Sequence, residues 1–378
     1  MRVFSISGGS IAETDTLPLK VPEGGYVWIA CARSEFELQQ HDIQATLQAL
    51  CGVQLVEPHT ADLLSNQLPS HYDYTSQYDI LVFRRLAAMA SGVAPVAGIV
   101  PPAGAAASPS SRLAFGRGGP PVLRRIDTSP VGFAVFDTVL LSVHPADCAV
   151  RDSYAARLLN ASAVDQRLAG SRLPASPADL MVRVINQIVD AYLDLRRELT
   201  HQLDHWQAEL LDPRSRFNNW TALMQARQSL HLLDEICDDQ RSAIQDWIDA
   251  LESWPDAPTP AGQRERDLLK VRSRDVLEHI ERVVHHVRRL EQSAETAVQM
   301  HFSAQSHRTN DIMRTLTALT AIFLPLNLIT GFFGMNFEFM PLIHWQMGFW
   351  LTVALMASIA VVTGLVFWRK RYLARSGR

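Results

Sequence analysis

The chain has 378 residues, a formal net charge of −4 and a mean hydropathy of +0.00. That length allows two folding units and a membrane part, and the mild negative charge offers no basic surface for nucleic acid. The four cysteines, Cys31, Cys51, Cys148 and Cys237, are scattered and form no C-x-x-C, which argues against disulfide and zinc-finger scaffolds and fits a reducing cytoplasm.

The N-terminal "MRVFSISGGSIAETD" lacks the basic and apolar regions of a signal peptide, so export is not expected. "GGYVWIACA" predicts a strand, "FELQQHDIQATLQALCG" an amphipathic helix stopped by glycine, and "YDILVFRRL" a further strand. The Ala/Gly/Pro/Ser tract at 87–121 cannot bury much and reads as a flexible insertion. "VGFAVFDTVLLSVHP" resumes strand pattern, with His144 as a strand-end histidine. No phosphate-loop, dinucleotide or nucleophile-elbow motif occurs, so nothing favours an enzyme. Residues 1–175 are therefore expected to form an α/β cytoplasmic domain.

From Ser176 the pattern is helical. Ser176 is a candidate N-cap and Pro177 a first helical residue, with an end near Asp212–Pro213. A second helix is predicted from about Asn218 to Trp254, acidic through Asp234, Glu235, Asp238, Asp239, Asp246, Asp249 and Glu252. Its acids read either as a solvated face or as a cation-attracting surface. After "PDAPTPAG", a helix begins near Gln263 and runs into the first apolar segment, a helix on the order of 100 Å long. Val276, Ile280, Val283, Val287 and Leu290 form an a/d seam, continued by Ala294, Ala297 and Ala304. This seam gives copies of the chain a reason to associate. His279, His285, His286, His301 and His307 lie on the same stalk, but adjacent His285 and His286 cannot share one face as metal ligands. The stalk region covers 176–312.

Leu316 to Phe333 carries no charge and, as a helix, is about 27 Å long, close to a bilayer core. Met347 to Trp368 is a second such run with aromatic ends. The expected spans are 313–333 and 348–368, joined by a loop at 334–347 and followed by a basic tail at 369–378. The connector has no Lys or Arg, while the tail reads "RKRYLARSGR" and Arg308 and Arg314 precede the first span. The positive-inside rule then puts both termini in the cytoplasm and the loop outside.

A two-helix hairpin cannot enclose a water path, so conduction requires several copies around an axis. Stepping along the first span by threes and fours aligns Asn310, Met313, Leu316, Thr320, Leu324, Asn327 and Gly331 with the loop's Asn336. This stripe is polar, then apolar, then polar, and uncharged. Amides at the outer mouth suit a hard dication that gives up its waters reluctantly, and the apolar middle could gate by dewetting.

"GMN" within "FFGMNFEFMP", at the outer end of the first of two C-terminal spans, resembles the CorA metal-ion transporters, as do "TNDIMRTLTALTAIFLPLNLITGFF" and the order of the whole chain. The resemblance implies a homopentameric funnel with an α/β cytoplasmic domain, a long helical stalk and two transmembrane helices, set in the lipid bilayer of a bacterial-type inner membrane. It implies Mg²⁺ as the transported ion, with Co²⁺ beside it, and Gly334, Met335 and Asn336 as the outer selectivity ring. Family members resemble one another in closing when cytoplasmic Mg²⁺ bridges acids between subunits, but this chain's regulatory site is not assigned. Leu342 stands where many relatives carry an acid, leaving Glu338 as the loop's only one. Asn327 stands where threonine is common, and Gln299 aligns with a gating aspartate. A Zn²⁺ transporter of the ZntB type, which shares the architecture, is one alternative, and a membrane-tethered scaffold or signalling protein is another.

Overall fold

The computed structural model describes residues 1–7, 10–86, 128–164, 173–211, 220–255, 257–335 and 346–369. The tract at 87–121, Asn336, Glu338, Leu342 and nearly all of the basic tail lie outside these residues. The chain divides into two compact units, Met1–Glu295 and Thr296–Arg378.

In the first unit, strands β1 (Arg2–Ser7), β2 (Ser10–Thr14), β3 (Gly25–Ala32), β4 (His71–Tyr74), β5 (Asp79–Leu86), β6 (Thr128–Val135) and β7 (Val139–His144) form one sheet in the order β2-β1-β3-β7-β6-β5-β4. β3 and β7 pair in parallel and all other neighbours are antiparallel. The central strands read as continuous apolar runs because both faces are covered. The edge strands β2 and β4 are short and polar, which blunts edge-to-edge pairing.

On one face, Val27, Ile29, Val82, Leu141 and Val143 pack under helices α1 (Arg33–Leu38), α2 (Gln40–Cys51) and α3 (Glu57–Leu64), which supply Phe36, Ile43, Leu47 and Leu63. The single helix expected over this stretch is two helices, because Gln39 leaves helical geometry at φ −109°, ψ 17°. The glycine stop is Gly52, left-handed at φ 74°. A Cβ at Gly132 would meet the tip of the Leu63 side chain, so glycine lets β6 pass under α3 without shifting Leu63. The run "VGFAVFDTVLLSVHP" is two strands: the Phe136 N–H donates to the Val139 carbonyl at 2.9 Å and turns β6 back into β7.

The other face is covered by α4 (Ala149–Val164), α5 (Pro177–Leu211) and α6 (Trp220–Ser253). Trp28 stacks on Phe4 and meets the edge of Tyr154. The Ser176 hydroxyl accepts the Asp179 N–H at 3.2 Å, capping α5 with Pro177 as its first residue. Asp179 is buried and held by Arg183 and by Arg272 of helix α7 (Pro260–Phe333).

Val276, Ile280, Val283, Val287 and Leu290 are all buried in the single chain. Within the unit α7 is also tied by Thr200–His286 at 2.8 Å, by Trp247 Nε1 donating to Ser273 Oγ at 3.0 Å, and by Arg288 against Asp234 and Asp238. The seam expected to draw copies together is thus occupied by the chain's own helices, because an a/d stripe is satisfied by any apolar partner that reaches it.

The second unit contains the C-terminal part of α7 and α8 (Gln346–Arg369). Two of the described helices hold segments long and apolar enough to cross a membrane: α7, and Met347–Phe367 of α8. Pro325 lies inside α7 without ending it; it offers no N–H to the carbonyl of Ala321.

Candidate functional site

The apolar end of α7 is continuous helix from Asn310 through Phe333, so Asn310, Met313, Leu316, Thr320, Leu324, Asn327 and Gly331 do share one stripe. All seven are exposed in the single chain. The opposite face, Ile322, Leu326, Ile329 and Phe333, is half-buried. α8 likewise half-buries one face, Thr352, Met356, Ile359, Thr363 and Phe367. Each helix of this unit therefore keeps one side covered, and α7 leaves the stripe open together with Leu319, Phe323, Leu328 and Phe332 beside it.

Each polar side chain on the stripe carries an oxygen that can accept a hydrogen bond. The Thr320 hydroxyl donates to the Leu316 carbonyl at 2.8 Å, leaving its lone pairs free to accept. Thr330, beside the stripe, donates to the Asn327 carbonyl at 3.1 Å. Water bound to a cation turns its protons outward, so acceptors without net charge suit a hydrated ion. No ionised side chain occurs between Thr315 and Met335.

At the end of the stripe the Gly334 N–H still donates to the Thr330 carbonyl at 2.9 Å, and Met335 N–H reaches Phe332 O at 3.4 Å. A Cβ at Gly334 would stand 3.0 Å from the Thr330 carbonyl oxygen. Glycine thus allows the last turn to close tightly where the chain leaves the helix. Gly334 and Met335 are therefore placed, whereas Asn336 and Glu338 lie outside the described residues.

The first unit holds a second feature that single-strand reading missed. A cavity of about 1250 Å³ is lined by Asp73, Asp79, Asp137, Asp246 and Asp249, with no Lys, Arg or His among the described residues on its walls. Asp73 of β4, Asp79 at the start of β5 and Asp137 in the turn after β6 meet the two from α6. Burial pushes the Asp79 carboxyl up, against the Tyr72 hydroxyl that donates to it at 2.6 Å. Burial also raises Asp73, but the Tyr74 N–H and His59 pull it below the usual carboxylate range. Among the described residues, no three His, Cys, Asp or Glu gather as metal ligands, in this cavity or along the stalk histidines. Gln299 lies on α7 outside any such group.

A family model described as "CorA-like Mg²⁺ transporter protein" matches residues 120–371, more than half of the chain. This chain belongs to the CorA-like family. Among curated proteins, this CorA-like chain is 28% identical over 195 residues to the cobalt/magnesium transport protein CorA of Thermotoga maritima, covering 51% of the chain and 52% of that protein. It is 49% identical over 63 residues to the putative metal ion transporter YfjQ of Bacillus subtilis, 17% of the chain and 19% of that protein. The chain thus spans about half or less of these relatives. Its fold matches the complete structure of the CorA magnesium transporter from Methanocaldococcus jannaschii with a TM-score of 0.67 at 17% identity, covering 100% of this chain and 98% of that one. That likeness spans a soluble α/β domain, a long helix and C-terminal helices.

Proposed function

We propose that the chain carries hydrated divalent cations, Mg²⁺ foremost and Co²⁺ beside it, across a bacterial-type inner membrane with both termini in the cytoplasm. The observation that carries this reading is the exposed, uncharged, acceptor-bearing stripe on a membrane-length helix that ends at Gly334–Met335. Family membership and the names of the Thermotoga and Bacillus relatives support it. Copies of the chain, five by the CorA resemblance, would bring their stripes round one axis and turn each residue into a ring.

Asn336 then supplies carboxamide oxygens at the outer mouth, next to the tight turn at Gly334. An amide accepts hydrogen bonds from the ion's waters, whereas a carboxylate would compete for the ion itself. Leu316 and Leu324 form an apolar girdle whose dewetting would close the path. An inside-negative potential of 100 mV favours entry by about 4.6 kcal/mol per dication. The Zn²⁺ reading is less supported, since the family model is described by Mg²⁺ and the Thermotoga relative by cobalt and magnesium.

The test is Mg²⁺ uptake into vesicles holding purified protein. Wild type should take up Mg²⁺ along the gradient and Asn336→Ala should abolish uptake. Equal uptake by the variant would sink the amide ring.

A further inference from the structure

β3, β5 and β7 run in one direction, and their carboxyl ends meet the start of β6 at one edge of the sheet. Arg33 follows β3, Arg85 is the penultimate residue of β5, Ser129 is the second residue of β6 and lies opposite Arg85, and His144 ends β7 beside Ala32. Arg151 stands in the first turn of α4, which leaves β7 at the same edge. Ten buried side-chain polar atoms lack a hydrogen-bond partner among the described residues, and five of them are here: Arg33 Nε, Arg85 Nε, Ser129 Oγ, His144 Nδ1 and Arg151 Nη1. A buried donor left unmet costs about 1–3 kcal/mol, and half of these atoms gather at this one edge.

The hydrogen bonds fix what these atoms offer. Trp28 Nε1 can only donate, and it donates to Ser142 Oγ at 2.8 Å. Ser142 Oγ is buried and meets only Trp28 Nε1 and His144 Nε2 among the described residues, and of these only the imidazole nitrogen can accept, so Ser142 places its own proton on His144 Nε2, 2.9 Å away. The neutral imidazole then carries its proton on Nδ1, the atom without a partner. His144 is 0% exposed and Arg85 3%. Arg85 Nη1 and Nη2 are held by the Leu86 carbonyl and Asp147, which leaves Nε. Arg33 Nη1 and Nη2 are held by Asn66 at 3.1 Å and the Pro130 carbonyl at 2.9 Å, which again leaves Nε. Arg151 Nη1 comes no closer than 3.7 Å to Glu35.

The groups feel one another. Burial lowers the Arg33 proton affinity and the Arg85 charge lowers it further. Burial pushes His144 down to about 3, with Arg151 and Arg85 adding to the effect and Asp152 and Asp147 opposing it. The nearby carboxylates are engaged: Asp147 with Arg85, Asp152 with Arg2 and Arg151, and Glu35 with the N-terminal amine.

We infer that this edge binds a tetrahedral oxyanion of the phosphate type, gripped by His144 Nδ1–H, Arg85 Nε–H, Arg33 Nε–H and Ser129 Oγ–H, with Arg151 beside it. Water is a poorer fit, because each water brings two protons that need acceptors and only Ser129 among the five can accept. A phosphate oxygen needs no acceptor and takes charge-assisted bonds from arginine. The place, outside the carboxyl ends of neighbouring parallel strands, is where α/β sheets commonly leave room for such groups. A free phosphate ion and the phosphoryl group of an ester present the same oxygens to these donors.

The experiment is thermal unfolding of the full chain in detergent, titrated with inorganic phosphate, adenosine monophosphate or chloride at matched ionic strength. Phosphate should raise the midpoint in a saturable way while chloride does not. A larger rise with the monophosphate at equal concentration assigns an ester, and a rise with inorganic phosphate alone assigns the free ion. Ser129→Ala should weaken phosphate about tenfold, while its chloride midpoint, freed of an unmet buried hydroxyl, is no lower than that of the wild type. Ser129→Asp, which puts a carboxylate among the donors, should raise the chloride midpoint and erase the phosphate response. Phosphate acting no better than chloride on wild type, or equally well on wild type and Ser129→Ala, overturns the inference.

Discussion

His144 is a histidine that the fold keeps neutral. It lies at the end of β7, its Nε2 accepting from Ser142, with burial and the charges of Arg151 and Arg85 driving its pKa to about 3. An unfolded chain takes up this proton near pH 6.5 and the folded one does not. The stability tied to neutral His144 is therefore complete above about pH 6.5 and is lost as pH falls towards 3, at about 1.4 kcal/mol per pH unit. Gln at this position accepts from Ser142 but takes no proton. His144→Gln should flatten the pH dependence of urea unfolding by about one proton across that window, read in chloride buffer. An unchanged slope would mean that His144 titrates in the folded chain. Several residue roles were legible in the sequence because they are local: the Ser176 cap, the Gly52 stop and Gly334 at a helix end each follow from neighbours within a turn. The donors Arg33, Arg85, Ser129 and His144 were not, because strand register alone brings them to one edge.

At the scale of elements, α7 carries two stripes with different fates. The seam from Val276 to Leu290 is buried inside the first unit, and the stripe from Asn310 to Gly331 is exposed in the second. The periodicity of both was legible; the partner was not, since an apolar seam reads alike whether its own chain or a copy covers it. The difference has a measurable consequence. Ile280→Ala should cost about 2–5 kcal/mol of unfolding free energy, as expected for a large-to-small change in a packed core. Because the seam is filled within one chain, that cost should not vary with protein concentration in detergent, where an intersubunit seam would lose more on dilution. A concentration-dependent cost would return the seam to the subunit interface. The break at Gln39 was missed for a related reason: α1 and α2 pack on the sheet as separate pieces, and tertiary packing overrides helical pattern at one residue.

At the scale of the whole molecule, a mean hydropathy of +0.00 hides a chain whose apolar residues are concentrated at one end. The α/β class, the long helices and the two C-terminal apolar helices were legible because each is a periodicity sustained over many residues. The acidic cavity between the β4 and β6 turns and α6 was not, because its five aspartates come from distant segments.

The account rests on α7 presenting its stripe to water and its opposite face to apolar surroundings. Single cysteines at Leu316, Thr320, Leu324 and Asn327, and at Ile322, Leu326 and Ile329, can be compared in Mg²⁺-loaded vesicles treated with a membrane-impermeant thiol reagent. The account predicts that modification at the four stripe positions blocks Mg²⁺ flux, while the three opposite positions and the unsubstituted chain keep theirs. Block at Ile322, Leu326 and Ile329 with flux intact at the stripe would contradict it.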